Sequence, residues 1–200
     1  MSKRLYIAYG SNLNIRQMKH RCPTAKLYGT GEIENYELQF KGQPNSAFAT
    51  IAPKEGASVP VAVWEIQPRD EKSLDRYEDY PSHYFKQNVP VQLDGEEVNA
   101  MVYIMNLKMR FGLPTPYYYQ TVHEGYNDCG LNTAVLDRAV KESSARFYAA
   151  YRQQNSQQTF FASEDDFLSE SADKDEYEPD EDEQDVDEDD SFYFSGGMQL

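Results

Sequence analysis

Two short stretches of this chain hold residue types that could do chemistry together. Glu78 stands at the expected C-terminal end of a short helix, flanked by Tyr77, Tyr80 and Pro81. The helix dipole disfavours a negative charge there, and aromatic neighbours desolvate a carboxylate. Both effects raise the pKa towards the range that a general acid or base needs near neutral pH. Asp79 beside it is a competitor that only geometry can exclude. The second stretch is Gly10-Ser11-Asn12, directly after the apolar run Leu5-Tyr6-Ile7-Ala8-Tyr9. A strand that breaks into a polar turn and then a helix gathers backbone N–H groups at one point, which suits an anionic group or a developing oxyanion. Gly10 is expected to free the backbone for torsions closed to other residues, and Ser11, Asn12 or Asn14 to cap the helix that follows.

Other chemistries find little support. His20, His83 and His123 are far apart and lack helical spacing with carboxylates or cysteines, so no metal site is expected. Cys22 and Cys129 form no C-x-x-C pair and read as buried thiols in a reduced compartment. No G-x-S-x-G, P-loop, H-E-x-x-H or Rossmann fingerprint occurs. Ser11 has no evident histidine partner and lacks the trailing glycine of a nucleophile elbow. The many tyrosines pack in a core or present hydroxyls to a pocket.

The elements that must position these groups follow from pattern. Lys3–Tyr9 reads as a strand, and a helix spans about Ile15 to Arg21, closed by Cys22-Pro23. Ala25–Thr30, Glu32–Phe40 and Ala47–Ala52 read as extended segments, with Lys54–Ser58 a loop. Val59–Ile66 is a nearly continuous apolar run, as for a strand covered on both faces. Pro68 opens a helix across Asp70–Tyr77, with acids in its first turn. Tyr84–Leu93 and Glu97–Asn106 form a hairpin about Asp94-Gly95. Tyr117–Tyr126 is helical, and Asn132 caps a long helix from Thr133 to about Gln153. Its apolar stripe comprises Val135, Leu136, Ala139, Val140, Phe147 and Tyr151. About six strands and their helices in no βαβ rhythm predict an α+β fold, a small, mostly antiparallel barrel with flanking helices.

The net charge of −15 belongs to one end of the chain. Residues 163–190 hold 17 of the 34 acids and one of the 19 Lys and Arg, which leaves 17 acids against 18 bases elsewhere. The folded part therefore offers no basic patch for nucleic acid. Residues 1–153 read as one domain and 154–200 as a low-complexity acidic tail, expected to be disordered because self-repulsion meets little apolar area to bury. No signal peptide or membrane span is indicated, and a cytoplasmic location is expected.

Taken together, Tyr6-Ile-Ala-Tyr9-Gly10-Ser11-Asn12-Leu13 and Leu74-Asp75-Arg-Tyr-Glu78-Asp-Tyr80-Pro81-Ser-His-Tyr84 resemble the γ-glutamylcyclotransferase family. Tyr103-Ile-Met-Asn106, Gly125-Tyr126 and Gly130-Leu131 fit the same pattern, and the similarity spans about residues 3–150. One departure is Asp79, where the pattern usually has Gly. The resemblance implies a small barrel that cyclises γ-glutamyl compounds to 5-oxoproline and releases an amine, without metal or organic cofactor. It implies Glu78 as the acid/base and Tyr9, Gly10, Ser11 and Asn12 as the substrate loop, with Tyr84, Tyr103 and Tyr118 lining the pocket. The substrate is then a small γ-glutamyl molecule. One alternative is a γ-glutamyl-amine (isopeptide) cyclotransferase of the same fold. Another is a non-catalytic binding module whose acidic tail engages a basic partner.

Overall fold

The first strand, β1 (Arg4–Ala8), runs through the centre of the molecule because Tyr6, Ile7 and Ala8 are buried together. In the computed structural model, residues 3–106 and 108–169 are described, with side chains to Asn155. β1 pairs antiparallel with β3 (Ser46–Ile66), β3 with β2 (Lys26–Gln43), β2 with β4 (Tyr84–Leu93), and β4 with β5 (Glu96–Met105). A parallel pairing of β5 with β1, Tyr6 opposite Met101 and Ile7 opposite Val102, closes the barrel in the order β1-β3-β2-β4-β5. The barrel is thus mixed and mostly antiparallel, as expected, and closure removes the sheet edges. Phe40, Ile51, Val61, Val63 and Met101, all nearly inaccessible, belong to its hydrophobic core.

The barrel has five strands rather than about six, because two expected breaks are absent. Ala25–Thr30 and Glu32–Phe40 belong to the single strand β2, while Ala47–Ala52, the expected loop Lys54–Ser58 and Val59–Ile66 all belong to β3. The long hairpin bends instead of ending. Its register shifts between Glu34 and Tyr36, Asn35 takes φ 61° and Gly56 φ 73°, and the Gly56 N–H donates to Asn35 Oδ1 at 3.0 Å. Such an irregularity turns a strand without interrupting it, and Pro53 sits opposite Tyr36 beside it. The β4–β5 hairpin turns through Asp94 (φ 50°) and Gly95 (φ 85°), as the Asp-Gly pair predicts.

The helices also follow local signals. α1 (Ile15–Arg21) is capped by Asn14, whose side chain accepts from the Gln17 N–H at 3.0 Å. α2 (Pro68–Tyr77) starts with Pro at its first position, and Asp70 Oδ2 accepts from the Gln67 N–H at 2.9 Å. α3 spans Pro116–Asp128 behind the cap Thr115, and α4 spans Thr133–Ser169 behind Asn132. α4 uses its apolar stripe only in its first half. Leu136 and Ala139 are buried and Ser143 Oγ accepts the Phe40 N–H at 2.9 Å, whereas Tyr151 is exposed.

The helix also continues past its expected end near Gln153. No Gly or Pro lies between Thr133 and Ser169, and Gln153, Gln154, Gln157 and Gln158, with Ala162 and Glu164, are good helix formers. A change in composition was therefore not a change in backbone. The chain divides into a compact unit of residues 1–157 and a second unit of 158–200. Within the second, the part described is the end of α4. Of the tail expected to be disordered, residues 154–169 are helical, and residues 170–200, with the engagement of a basic partner considered for them, lie outside the described residues. Among the described residues no helix is long and apolar enough to cross a membrane.

Candidate active site

A cavity of about 380 Å³ opens at one end of the barrel. It is lined by all eight residues singled out from the sequence: Tyr9, Gly10, Ser11, Asn12, Glu78, Tyr84, Tyr103 and Tyr118. The end of β1 brings Tyr9, and a 3₁₀ turn over Ser11–Leu13 brings Ser11 and Asn12. The end of α2 brings Glu78, β4 and β5 bring Tyr84 and Tyr103, and α3 brings Tyr118.

Glu78 closes α2 as its C-cap residue, its N–H donating to the Leu74 carbonyl at 2.8 Å. The side chain faces the cavity, with protein atoms crowding its other sides. Burial pushes its carboxyl up to about 7, against the Arg21 charge and a hydrogen bond from Asn12, which both hold it down. Asn12 is itself buried, and its Nδ2 donates to Glu78 Oε1 at 2.9 Å and to the Tyr6 hydroxyl at 2.8 Å. Its Oδ1 accepts from the Arg21 guanidinium. A guanidinium can only donate, so Arg21 fixes which way the Asn12 amide points. Arg21 is held in turn by Gln17 Oε1 at 2.6 Å and by the Tyr77 ring, 3.4 Å below it.

Asp79, the competitor for Glu78, also lines the cavity, but its carboxylate is exposed and bonded to His83 Nδ1. Its backbone lies at φ 50°, in the left-handed region where glycine is at ease and Asp is among the better substitutes. That is a physical reason for Gly being usual at this position.

Gly10 has φ −119° and ψ −138°, outside the helical and extended regions common to other residues. A side chain there would also bring Cβ to 3.2 Å from both Ala49 Cβ and the Tyr118 hydroxyl, so glycine is needed for space. The turn is closed by the Leu13 and Asn14 N–H groups, which donate to the Gly10 and Ser11 carbonyls at 3.0 and 3.2 Å. Ser11 Oγ pairs with the Tyr77 hydroxyl at 2.9 Å and not with a histidine. Among the three candidate caps Asn14 does the capping, which leaves Asn12 for Glu78.

The tyrosines divide by what their hydroxyls do. Tyr9 donates to the Tyr103 carbonyl at 2.6 Å, Tyr84 to the Ala49 carbonyl at 3.1 Å, and Tyr103 to Asp75 Oδ1 at 2.6 Å. Tyr118 instead accepts, from the Ala49 N–H at 3.2 Å. Asp75 also pairs with Lys86 at 2.6 Å, and Lys86 with Glu71 at 2.6 Å. Tyr6, Arg21 and Tyr77 were not predicted from sequence. The alternation of β1 marked Tyr6 only as core, and nothing in sequence ties Arg21 to a turn preceding its own helix. Among the described residues no cluster of three or more His, Cys, Asp or Glu is placed to hold a metal ion.

Comparison with known proteins places this geometry. The family model described as gamma-glutamyl cyclotransferase, AIG2-like, matches residues 6–124. The gamma-glutamylcyclotransferases of Bos taurus and Homo sapiens are 29% and 28% identical to the chain over 140 and 137 residues. Each of these matches takes in 64% of this chain and 72% of the relative. A solved gamma-glutamyl cyclotransferase superposes with a TM-score of 0.64 at 26% identity, covering 69% of this chain and 86% of its own. YkqA from Bacillus subtilis, at 17% identity and a TM-score of 0.61, shares the fold.

Proposed function

The chain belongs to the gamma-glutamyl cyclotransferase, AIG2-like family, and from that membership we propose that it cyclises γ-glutamyl compounds to 5-oxoproline, with Glu78 as base and then acid. It is an enzyme of the γ-glutamylcyclotransferase type. The observation that carries the residue assignment is the Asn12–Glu78 contact at 2.9 Å, which holds a carboxyl raised to about 7 at the cavity wall.

Glu78 takes a proton from the substrate's α-ammonium, and the freed amine attacks the γ-carbonyl carbon. A C–N bond forms, and the carbonyl π electrons move to oxygen. Collapse re-forms the carbonyl and breaks the bond to the departing nitrogen, which takes one proton from Glu78 and one from the ring nitrogen, so the lactam keeps a single N–H and the amine leaves as an ammonium. A carboxyl near neutrality does both transfers with little driving force lost in either direction. Ring closure is intramolecular, so a cavity that holds the chain folded supplies much of the acceleration. Tyr9, Gly10, Ser11 and Asn12 hold the γ-glutamyl part, with Tyr84, Tyr103 and Tyr118 around it. Residues 154–200 are accessory to the chemistry on this reading, since the lining residues among those described all precede them.

A panel of γ-glutamyl amino acids, peptides and amines, scored for 5-oxoproline release, tests the reading. Release by the wild type and none by Glu78→Gln is expected. Turnover retained by the variant removes Glu78 from its role, and a wild type inert to the whole panel removes the reaction. Truncation after Gln153 is expected to leave turnover intact.

A further inference from the structure

The hydrogen bonds of the cavity leave Tyr118 with the opposite polarity from Tyr9, Tyr84 and Tyr103. The hydroxyl protons of Tyr9, Tyr84 and Tyr103 are spent on protein acceptors, so towards a ligand these oxygens offer only lone pairs. Tyr118 is the reverse. Its oxygen accepts the Ala49 N–H at 3.2 Å, and among the described residues no protein acceptor takes its proton, so its O–H is left for the cavity it lines. An amide donating to a phenol oxygen polarises its O–H and makes it a stronger donor.

The group is also held still. The Tyr118 N–H donates to the capping Thr115 Oγ1 at 3.1 Å, and the ring meets Phe48 and Phe40 edge to face at 4.9 and 6.5 Å. Gly10 leaves just enough room for its hydroxyl. A donor that is partly buried, fixed before the substrate arrives and backed by an amide is the arrangement that stabilises charge appearing in a transition state.

We propose that the Tyr118 hydroxyl donates to the γ-carbonyl oxygen as the α-amine attacks, and so stabilises the oxyanion of the tetrahedral intermediate. The Ala49 amide then acts on the reaction through Tyr118, by polarising the phenol. No proton is transferred at this step: the O–H bond persists while the oxygen gains and then returns the electron pair. The proposal rests on the cyclotransferase reading above, and it makes Tyr118 a catalytic residue rather than a wall of the pocket.

The test compares wild type, Glu78→Gln and Tyr118→Phe on the best substrate of the panel, with thermal melts to show that each is folded. Tyr118→Phe is expected to lower kcat about 100- to 1,000-fold with KM changed less than about threefold. Replacement of Tyr118 by 3-fluorotyrosine, a more acidic phenol of nearly the same shape, is expected to keep or raise the wild-type kcat. A merely structural tyrosine would not respond to phenol acidity. Full kcat in Tyr118→Phe overturns the proposal, and so does a rise in KM alone, which would place the hydroxyl on the ground-state α-carboxylate. Either result leaves the cyclotransferase reading intact if Glu78→Gln is dead. A wild type without 5-oxoproline release overturns both.

Discussion

Asn12 Nδ2 lies 2.9 Å from Glu78 Oε1, and the Arg21 guanidinium grips the other end of the same amide. Two residues 66 positions apart are thereby locked in one orientation. The Asn12 amide can satisfy Arg21 only through its oxygen, so its nitrogen must face the carboxylate and Tyr6. The contact favours the charged form of Glu78, while burial favours the neutral one, and burial wins.

The rate should therefore follow Glu78 with pH. Below about 7 the carboxyl is protonated and cannot accept the ammonium proton. Thus kcat/KM of the wild type is expected to rise through that pH from the acid side. Arg21→Gln removes the charge that opposes burial, and its acid limb should move to higher pH. A profile measured at substrate well below KM checks this, and a limb that stays in place or moves down refutes the assignment.

Glu78→Gln should also separate activity from stability. The folded-state pKa of Glu78 is raised from 4.5 to about 7. Its contribution to stability is then fully present below about pH 4.5 and lost as pH rises through about 7, where the buried anion is a cost. Removing the ionisable group should stabilise the protein above pH 7 by about 1–3 kcal/mol, while abolishing turnover. Urea unfolding of both proteins at pH 5 and pH 8 measures it, with the gain expected only at the higher pH.

Gly10→Ala should damage the reaction more than the fold. The Cβ of an alanine at residue 10 would meet Ala49 Cβ and the Tyr118 hydroxyl at 3.2 Å. A displacement of a few tenths of an ångström at a positioned group is expected to lower kcat about tenfold, since about 1 Å costs a hundredfold. The melting temperature should shift only slightly. A large fall in melting temperature with kcat intact would show that the glycine serves packing alone.

Glu37 lies away from the cavity and ties α4 to the barrel. Its carboxylate bonds Arg146 at 2.9 and 3.3 Å and Lys54 at 2.7 Å. Burial opposes the charge, but hydrogen bonds from Arg146, Lys54 and Gln39 outweigh it and hold the carboxyl at about 2, below its ordinary 4.5. The stability this group contributes is present above about pH 4.5 and is lost as pH falls towards 2. Glu37→Gln should cost roughly 1–3 kcal/mol near neutral pH, with the difference shrinking in acid and turnover unchanged. Chemical unfolding at pH 7 and pH 3 reads it directly.

Much of the molecule was written locally. The α1, α2 and β4–β5 boundaries follow from Asn14, Pro68 and Asp94-Gly95, because caps, fixed torsions and tight turns act over a few residues. The helix propensity that carries α4 past Gln153 was equally local, yet the shift in charge and polarity hid it. The bend at Asn35 and Gly56 was not legible, since a strand that kinks and continues looks in sequence like two strands and a loop.

The chain by itself determined which residues could react: a carboxylate at a helix end, a polar turn after a buried strand, and a set of tyrosines. Those follow from side-chain chemistry and short-range backbone rules. Tertiary structure decided their roles. Closure of β5 onto β1, together with α2 and α3 at the barrel mouth, brings Glu78, Asn12 and Tyr118 to one cavity. Burial there sets the Glu78 pKa, Arg21 sets the Asn12 amide, and the Ala49 amide sets the polarity of Tyr118. Desolvation and hydrogen-bond direction depend on neighbours distant in sequence, so no reading of local pattern can supply them.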